Sequence, residues 1–322
     1  MLDAPLLLSL VAPFLSLRDL WHLRSVNRHC FESLPNYTTQ LSAEKVQDAT
    51  ALARVIEYFP HTRDITLQRV TAPMQPLTHA LGQFDQWKLV SLELSEVWNL
   101  TDASVRLVTE KCGATLERLT LRQCFLLKCP AIRGGPKLKV VTVANCLVTQ
   151  FHDDTTWPAL EELHVSSRVL TTLNARHLHK HLLASSQIRL LDLSDCFMVE
   201  QLLIDPGELP LLHTLFLRSC LGMKRLHVAS SSLETLDLTL CGAMEVVVLE
   251  LHRAKRLDLS FLQHLTHLLV RSESLASLNL RACSELTREN VRIECPSVGA
   301  AYVEGTKLRL DDLRFPSADV PM

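Results

Sequence analysis

The feature that most constrains this chain is a repeat. The pattern Leu-x-x-Leu-x-Leu-x-x-Cys stands at Leu116, Leu119, Leu121 and Cys124. It returns at Leu138, Val141, Val143 and Cys146, at Ile188, Leu191, Leu193 and Cys196, and at Leu212, Leu215, Leu217 and Cys220. Two more clear copies follow, Leu233, Leu236, Leu238 and Cys241, then Leu275, Leu278, Leu280 and Cys283. Weaker copies begin at Thr62, Leu89, Leu160, Ala254 and Val298. From Leu116 onward the starts are separated by 22, 22, 28, 24, 21, 21, 21 and 23 residues. A single copy is too small to bury its own apolar side, so the copies must stack and share one continuous core. Composition agrees: 65 of the 322 residues are Leu, whereas aromatics make up only 5% and there are 9 Gly.

The spacing predicts an α/β fold of leucine-rich-repeat type, a single curved solenoid of about ten to eleven repeats. Each copy supplies one short strand with its Leu side chains inward, and the strands form a parallel sheet on the concave side. The return path changes along the chain. Between Leu89 and Leu116 there is room for a helix, with Thr101 as N-cap and Val105, Val108 and Cys112 on one face. Residues 160 to 188 likewise allow a helix from about Asn174 to Ala184. The 21-residue repeats are too short for a full helix. They carry Leu226 and Val228, Val247 and Leu249, Leu268 and Val270, and Val291 and Ile293, an alternation that reads as short strands on the convex side.

Of the 10 Cys, six hold the same repeat position: Cys124, Cys146, Cys196, Cys220, Cys241 and Cys283. There they read as buried, reduced thiols packing as small hydrophobes. Adjacent thiols point to a reducing compartment, hence an intracellular protein, cytoplasmic or nuclear. With 33 Lys+Arg against 35 Asp+Glu the net charge is −2, which argues against a nucleic-acid partner. No apolar run reaches a membrane span, so no membrane partner is expected. The stretch Ala4 to Leu17 contains Pro5 and Pro13, follows Asp3 with no basic residue, and lacks a small-x-small cleavage site. It reads against a signal peptide. No nucleophile elbow, phosphate loop, His-Glu-x-x-His or paired Cys-x-x-Cys occurs. The expectation is a non-catalytic protein with no cofactor and no metal. The one metal-like cluster is His177, His179 and His181. On a helix His177 and His181 would share a face without His179, and no acidic or Cys ligand is near, so a solvated face or a partner contact is expected instead.

Residues 94 to 124 read Leu94-Ser-Glu-Val-Trp-Asn-Leu100-Thr101-Asp102, then Val105, Leu107, Val108, Cys112, Leu116, Leu119, Leu121 and Cys124. This resembles the cysteine-containing leucine-rich repeats of the F-box family, and Cys283 to Pro296 carries a degenerate copy. The N-terminal Leu7, Leu8, Val11, Phe14, Leu15, Asp19, Leu20, Leu23, Val26 and Arg28 resemble an F-box. Asp3-Ala4-Pro5-Leu6 stands in place of the usual Leu-Pro-x-Glu opening, and Cys30 where Trp is common. The resemblance implies a substrate-recognition subunit of an SCF-type cullin-RING ubiquitin ligase. Leu7, Leu8, Val11, Phe14, Leu15, Leu20, Leu23 and Val26 would bind the adaptor, and through it a cullin. From the residues alone, this segment is either a helical cap on the open end of the solenoid or a cap that also docks a partner. The division is then 1–38 for the F-box-like segment, 39–61 for a linker with a helix from Ser42 to Phe59, and 62–322 for the solenoid with its C-terminal cap.

The remaining partner is a protein substrate on the concave face. In a strand, the residue between the last two Leu points away from the core. Down the stack this column is Thr66, Glu93, Thr120, Thr142, His164, Asp192, Phe216, Asp237, Asp258, Asn279 and Tyr302. Two residues on, Arg218 and Arg281 stand beside its aromatic members. Aromatic anchors flanked by charge are typical of binding hot spots. The expected substrate site is therefore Asp192, Phe216, Arg218, Asp237, Asp258, Asn279 and Tyr302. A leucine-rich-repeat interaction scaffold with no ligase role is the alternative.

Overall fold

The computed structural model describes residues 12, 17–73, 89–171, 187–296 and 298–313. The chain divides into two compact units, Met1–Leu160 and Glu161–Met322.

The first unit opens with two helices, α1 (Leu17–Arg24) and α2 (Arg28–Tyr37). Asn27 caps α2 by accepting the Cys30 N–H at 2.8 Å. Then come β1 (Gln40–Glu44), α3 (Ala49–Tyr58), β2 (Asp64–Val70), β3 (Ser91–Val97), α4 (Asp102–Cys112), β4 (Arg118–Arg122) and β5 (Val140–Ala144). Strands β1 to β5 pair in that order, all parallel. The register aligns Ile65, Leu92, Leu119 and Val141 in one buried row and Leu67, Leu94, Leu121 and Val143 in another. Each such Leu contributes about 1.5–3 kcal/mol by leaving water, so this register is strongly specified. Helix α4 forms as its pattern implies: the Thr101 hydroxyl accepts from Ser104 N–H, and Val105, Val108 and Cys112 are buried.

The linker helix from Ser42 to Phe59 is corrected in its first half. Residues Gln40–Glu44 form β1, which pairs with β2, so a solenoid turn precedes the first copy that the motif reveals. The helix starts only at Ala49, because the Asp48 carboxylate accepts from the Thr50 and Ala51 amides and sets the N-terminus there.

The second unit contains β6 (Glu162–Ser166), β7 (Leu190–Asp192), β8 (Gln201–Ile204), β9 (Thr214–Phe216), β10 (Arg225–Ser230) and β11 (Thr235–Asp237). It continues with β12 (Val246–Leu251), β13 (Arg256–Asp258), β14 (His267–Arg271), β15 (Ser277–Asn279), β16 (Val291–Glu294) and β17 (Ala300–Tyr302). The repeat strands form the parallel sets β6-β7-β9-β11 and β13-β15-β17, while β8-β10-β12-β14-β16 make a second parallel sheet. That second sheet is the expected strand-like return: Leu226, Val228, Val247, Leu249, Leu268, Val270 and Ile293 are buried, and Val291 is half-buried. Strand β8, with Leu202 and Ile204 buried, was not anticipated. All eleven expected repeat strands are present, and the fold is a leucine-rich-repeat solenoid. The helix expected over Asn174 to Ala184 lies outside the described residues.

The repeat strands other than β6 exit through a sharp bend. Lys45, Arg69, Glu96, Gln123 and Asn145 in the first unit hold left-handed backbone. So do Asp195, Ser219, Leu240, Phe261 and Ala282 in the second, and Gly305 occupies the equivalent place at φ +78°. In each Cys-bearing copy the next residue is the repeat Cys. Its thiol reaches back to a carbonyl of the preceding turn: Cys196 to Val165 O at 3.4 Å, Cys220 to Leu193 O at 3.2 Å, Cys241 to Leu217 O at 2.9 Å and Cys283 to Leu259 O at 3.0 Å. In the first unit the same contacts, Cys124 to Leu94 O and Cys146 to Leu121 O, are longer, at 3.6 and 3.7 Å. Cysteine suits this place because it is small enough for the bend and supplies a weak donor to a carbonyl facing the core. All six are buried. Burial pushes the Cys196 thiol up to about 12 and the Cys283 thiol up to about 11, so both stay protonated at neutral pH.

Candidate functional site: the repeat-strand face and the N-terminal helix pair

Six of the seven expected substrate-site residues fall on two sets of strands in the second unit, and Arg218 lies two residues past the end of β9. The register of β7, β9 and β11 places Asp192, Phe216 and Asp237 side by side. That of β13, β15 and β17 does the same for Asp258, Asn279 and Tyr302. Neighbouring strands lie about 4.8 Å apart, so each trio spans roughly 10 Å.

Four of these residues have a structural task that the motif did not disclose. Asp192 accepts the Ser194 amide at 2.9 Å, Asp237 the Thr239 amide at 2.9 Å, Asp258 the Ser260 amide at 3.0 Å, and Asn279 the Arg281 amide at 3.2 Å. Thr239 and Ser260 add hydroxyl bonds to the same carboxylates, both at 2.6 Å. These are Asx turns, in which a side-chain oxygen takes the amide two residues on. They end the strands after three residues. The sequence signal was visible as Asp-Leu-Ser and Asp-Leu-Thr, but it reads as turn chemistry only once the strand boundary is known.

Phe216 and Tyr302 stand apart from that task. The Arg218 guanidinium lies 4.7 Å from the Phe216 ring centre and forms an ion pair with Asp237 on the adjacent strand. The Arg281 guanidinium lies 4.4 Å from the Tyr302 ring centre and pairs with Glu304 at 3.0 Å. Both clusters stack an aromatic ring, an arginine and an acid at the surface, a geometry suited to gripping a protein segment. Phe216 is half-buried rather than fully open, so the arginine covers part of the anchor. For the Asp237 carboxyl, burial works upward, but the Thr239 and Arg218 bonds outweigh it and hold the group below its ordinary value.

His164, on β6, adds a further charged contact. Its Nδ1 lies 3.3 Å from the Asp192 carboxylate. That hydrogen bond raises the His164 pKa against the opposing effect of burial. Burial works to raise Asp192, yet the His164 and Ser194 bonds hold it low. In the first unit the same column carries Thr120 and Thr142, both buried, and no arginine–aromatic stack occurs among its described residues on this face.

At the N-terminus, the expected adaptor residues divide. Leu7, Leu8, Val11, Phe14 and Leu15 lie outside the described residues. Leu20 is fully buried, which corrects its place on a docking face: it packs inside the unit. Leu23 is half-buried, and Val26 is 65% exposed. Trp21 and Phe31, which sequence reasoning passed over, are also exposed. The Arg24 guanidinium lies 3.6 Å from the Trp21 ring centre and 5.1 Å from that of Tyr58, tying α1 to α3. Tyr58 also donates its hydroxyl to the Phe31 carbonyl.

His177, His179 and His181 lie outside the described residues. Among the described residues, no three metal-ligating side chains come together, and no helix is long and apolar enough to cross a membrane. No family model matches the chain, and no curated protein does. Among solved structures, the chain aligns with the yeast Rad7–Elc1 complex at 14% identity, covering 97% of this chain and 87% of that one, TM-score 0.40. It aligns with an internalin, inlF, of Listeria monocytogenes at 11% identity, covering 98% and 95%, TM-score 0.43. With a leucine-rich-repeat protein of Leptospira interrogans the identity is 14%, the coverage 86% and 91%, and the TM-score 0.34. None reaches the similarity at which a shared function follows.

Proposed function

We propose that this chain is the substrate-recognition subunit of an SCF-type cullin-RING ubiquitin ligase. The observation that carries the reading is the set of exposed apolar side chains on the N-terminal helix pair and its connecting turn. Trp21, Val26 and Phe31 stand exposed on a segment whose residues also match the F-box pattern. A helical cap alone has no need to show three large apolar side chains to water. In this reading α1 and α2 bind the adaptor, and through it the cullin. The Phe216–Arg218–Asp237 and Tyr302–Arg281–Glu304 clusters bind a protein substrate; Asp258 and Asn279 shape strand ends between them, and Asp192 shapes the end of β7 beside the first cluster. The chain performs no chemistry of its own. It raises the effective concentration of substrate near the charged ubiquitin carrier, in a reducing intracellular compartment.

The second reading, an interaction scaffold without a ligase role, is favoured by the Arg24 contacts with Trp21 and Tyr58, which fasten the helix pair to the first turn as a cap would. A pulldown with the adaptor separates the two. The wild-type chain retains the adaptor, and Val26→Asp, at an exposed position, reduces retention about tenfold with unchanged circular dichroism. A folded wild-type chain that retains none supports the scaffold. Leu20→Asp is unsuitable, because an unpaired buried charge unfolds the helix pair.

A further inference from the structure

The first unit carries an apolar ridge outside the repeat-strand face. It lies where the chain leaves the strands, just past the left-handed corners. Trp98 follows β3, Phe125 and Leu126 follow β4, and Leu147 follows β5. They are 53%, 39%, 49% and 40% exposed. The Trp98 and Phe125 rings pack against each other at a tilt, with centres 5.8 Å apart, so these two side chains form one preformed surface. With strands about 4.8 Å apart, Trp98 to Leu147 spans roughly 10 Å. That is the footprint of a short linear segment.

The charges around the ridge favour one sign of partner. The acids nearest in the chain have partners: Glu96 shares Arg69 with Glu44, at 3.5 and 2.6 Å, and Asp102 accepts the Lys128 and Cys129 amides at 3.1 and 3.0 Å. The two cations that bracket Phe125 differ. Arg122 and Lys128 are exposed, and neither has an ion-pair partner among the described residues. Across the ladder, Arg122 is flanked by Ser95 and Ala144, which carry no charge. The second unit differs here: its Arg218 and Arg281 are neutralised by Asp237 and Glu304. An apolar ridge beside two exposed cations that hold no ion pair among the described residues favours a segment that brings aliphatic or aromatic anchors together with acidic residues.

We infer that the Trp98–Phe125–Leu126–Leu147 ridge is a second protein-docking surface, and that its occupant is a short segment with apolar anchors flanked by Asp or Glu. The surface is independent of both readings above, since it involves neither the N-terminal helix pair nor the second unit.

Selection of random dodecapeptides by display on the full chain tests this without presuming a partner. The expected result is enrichment of peptides pairing Leu, Ile or Phe with flanking acids. Their affinity falls at least tenfold on Trp98→Ser and also on Phe125→Ser, two exposed positions whose loss leaves the melting temperature unchanged. Arg122→Glu weakens the acidic peptides and shifts selection toward Lys-flanked ones. The inference is overturned by enrichment of basic or neutral peptides, by acidic peptides that bind Trp98→Ser and Phe125→Ser as well as wild type, or by no enrichment. Self-association of the chain that Phe125→Ser abolishes also overturns it, since the ridge would then be an interface between copies.

Discussion

In the first unit the repeat strands run five to seven residues, and helices α3 and α4 close two of the turns. In the second, the repeat strands from β7 onward run three residues, and the returns are a second parallel sheet. Two local causes account for the difference. The residue between the last two Leu is Thr on β4 and β5, which leaves the ladder intact, but Asp or Asn on β7, β11, β13 and β15, which turns the chain. Strands β9 and β17, which carry Phe216 and Tyr302 there, pair with such strands and end at the same row. The return path follows from length: the 11-residue helix α4 fits the longer repeats, while a 21-residue repeat has room only for a strand. One stacking rule thus tolerates two kinds of turn. The second kind presents arginine-capped aromatics on the repeat-strand face.

The largest expected effect tests what the units share. Leu119→Ala in the first and Leu215→Ala in the second each remove a fully buried side chain from the same row of the repeat. Each should cost about 2–5 kcal/mol in urea unfolding. A cost below about 1 kcal/mol for either would mean that its unit does not depend on the stacked row.

Next comes the anchor that only the second unit has. Phe216→Ala should weaken binding of a protein held on this face by about 2 kcal/mol, tens of fold by titration calorimetry, with little change in melting temperature. Unchanged affinity in Phe216→Ala and Asp237→Ala together would place the partner elsewhere.

A smaller effect separates the two kinds of strand end. Asp258→Ala should destabilise by about 1 kcal/mol, the usual scale for losing a side-chain cap on backbone amides. Asp258→Asn, which keeps the accepting oxygen, should be near neutral. Thr142→Ala at the matching position in the first unit should cost less than Asp258→Ala. Equal losses for Asp258→Ala and Thr142→Ala would remove the Asx turn as the cause of the short strands.

The smallest effect is a pH dependence. His164 is raised from its ordinary 6.5 by the Asp192 bond, so its stabilisation is complete below that value and fades as pH rises through the folded pKa. Asp192 is lowered from 3.8, so its share is complete above that value and fades as pH falls through the folded pKa. The gap in melting temperature between wild type and His164→Gln should therefore be widest between these two values and close above neutral pH. It should be small, because both groups are only about half-buried. A gap that widens above neutral pH would show that the pair is not the cause.

Much of this was legible in the sequence because a repeat multiplies one weak signal. A single Leu-x-x-Leu-x-Leu is ambiguous, but eleven copies at nearly fixed spacing specify strand, register and inward face together. The alternation at Leu226 and Val228 and its later counterparts gave the second sheet for the same reason. What remained hidden was not periodic. Strand β1 carries only Leu41 buried and lacks the motif, so the first turn read as a helix. The Asx turns compete with a hot-spot reading because both use an acid at the same position. Leu20 fits an F-box by pattern, and whether it faces a partner or the interior is decided only by packing. Trp98 and Phe125 sit on consecutive turns, but nothing in their spacing showed that the rings would meet in the open.

If the N-terminal helices carry this solenoid into an adaptor–cullin assembly, as proposed, the three chains must form one complex. The most direct measurement is size-exclusion chromatography with light scattering on the full chain mixed with the adaptor and the N-terminal part of the cullin. The expected result is one peak whose mass is the sum of one copy of each, lost in Val26→Asp. A folded chain that elutes alone, at its own 36.3 kDa, while adaptor and cullin co-elute without it, would contradict it.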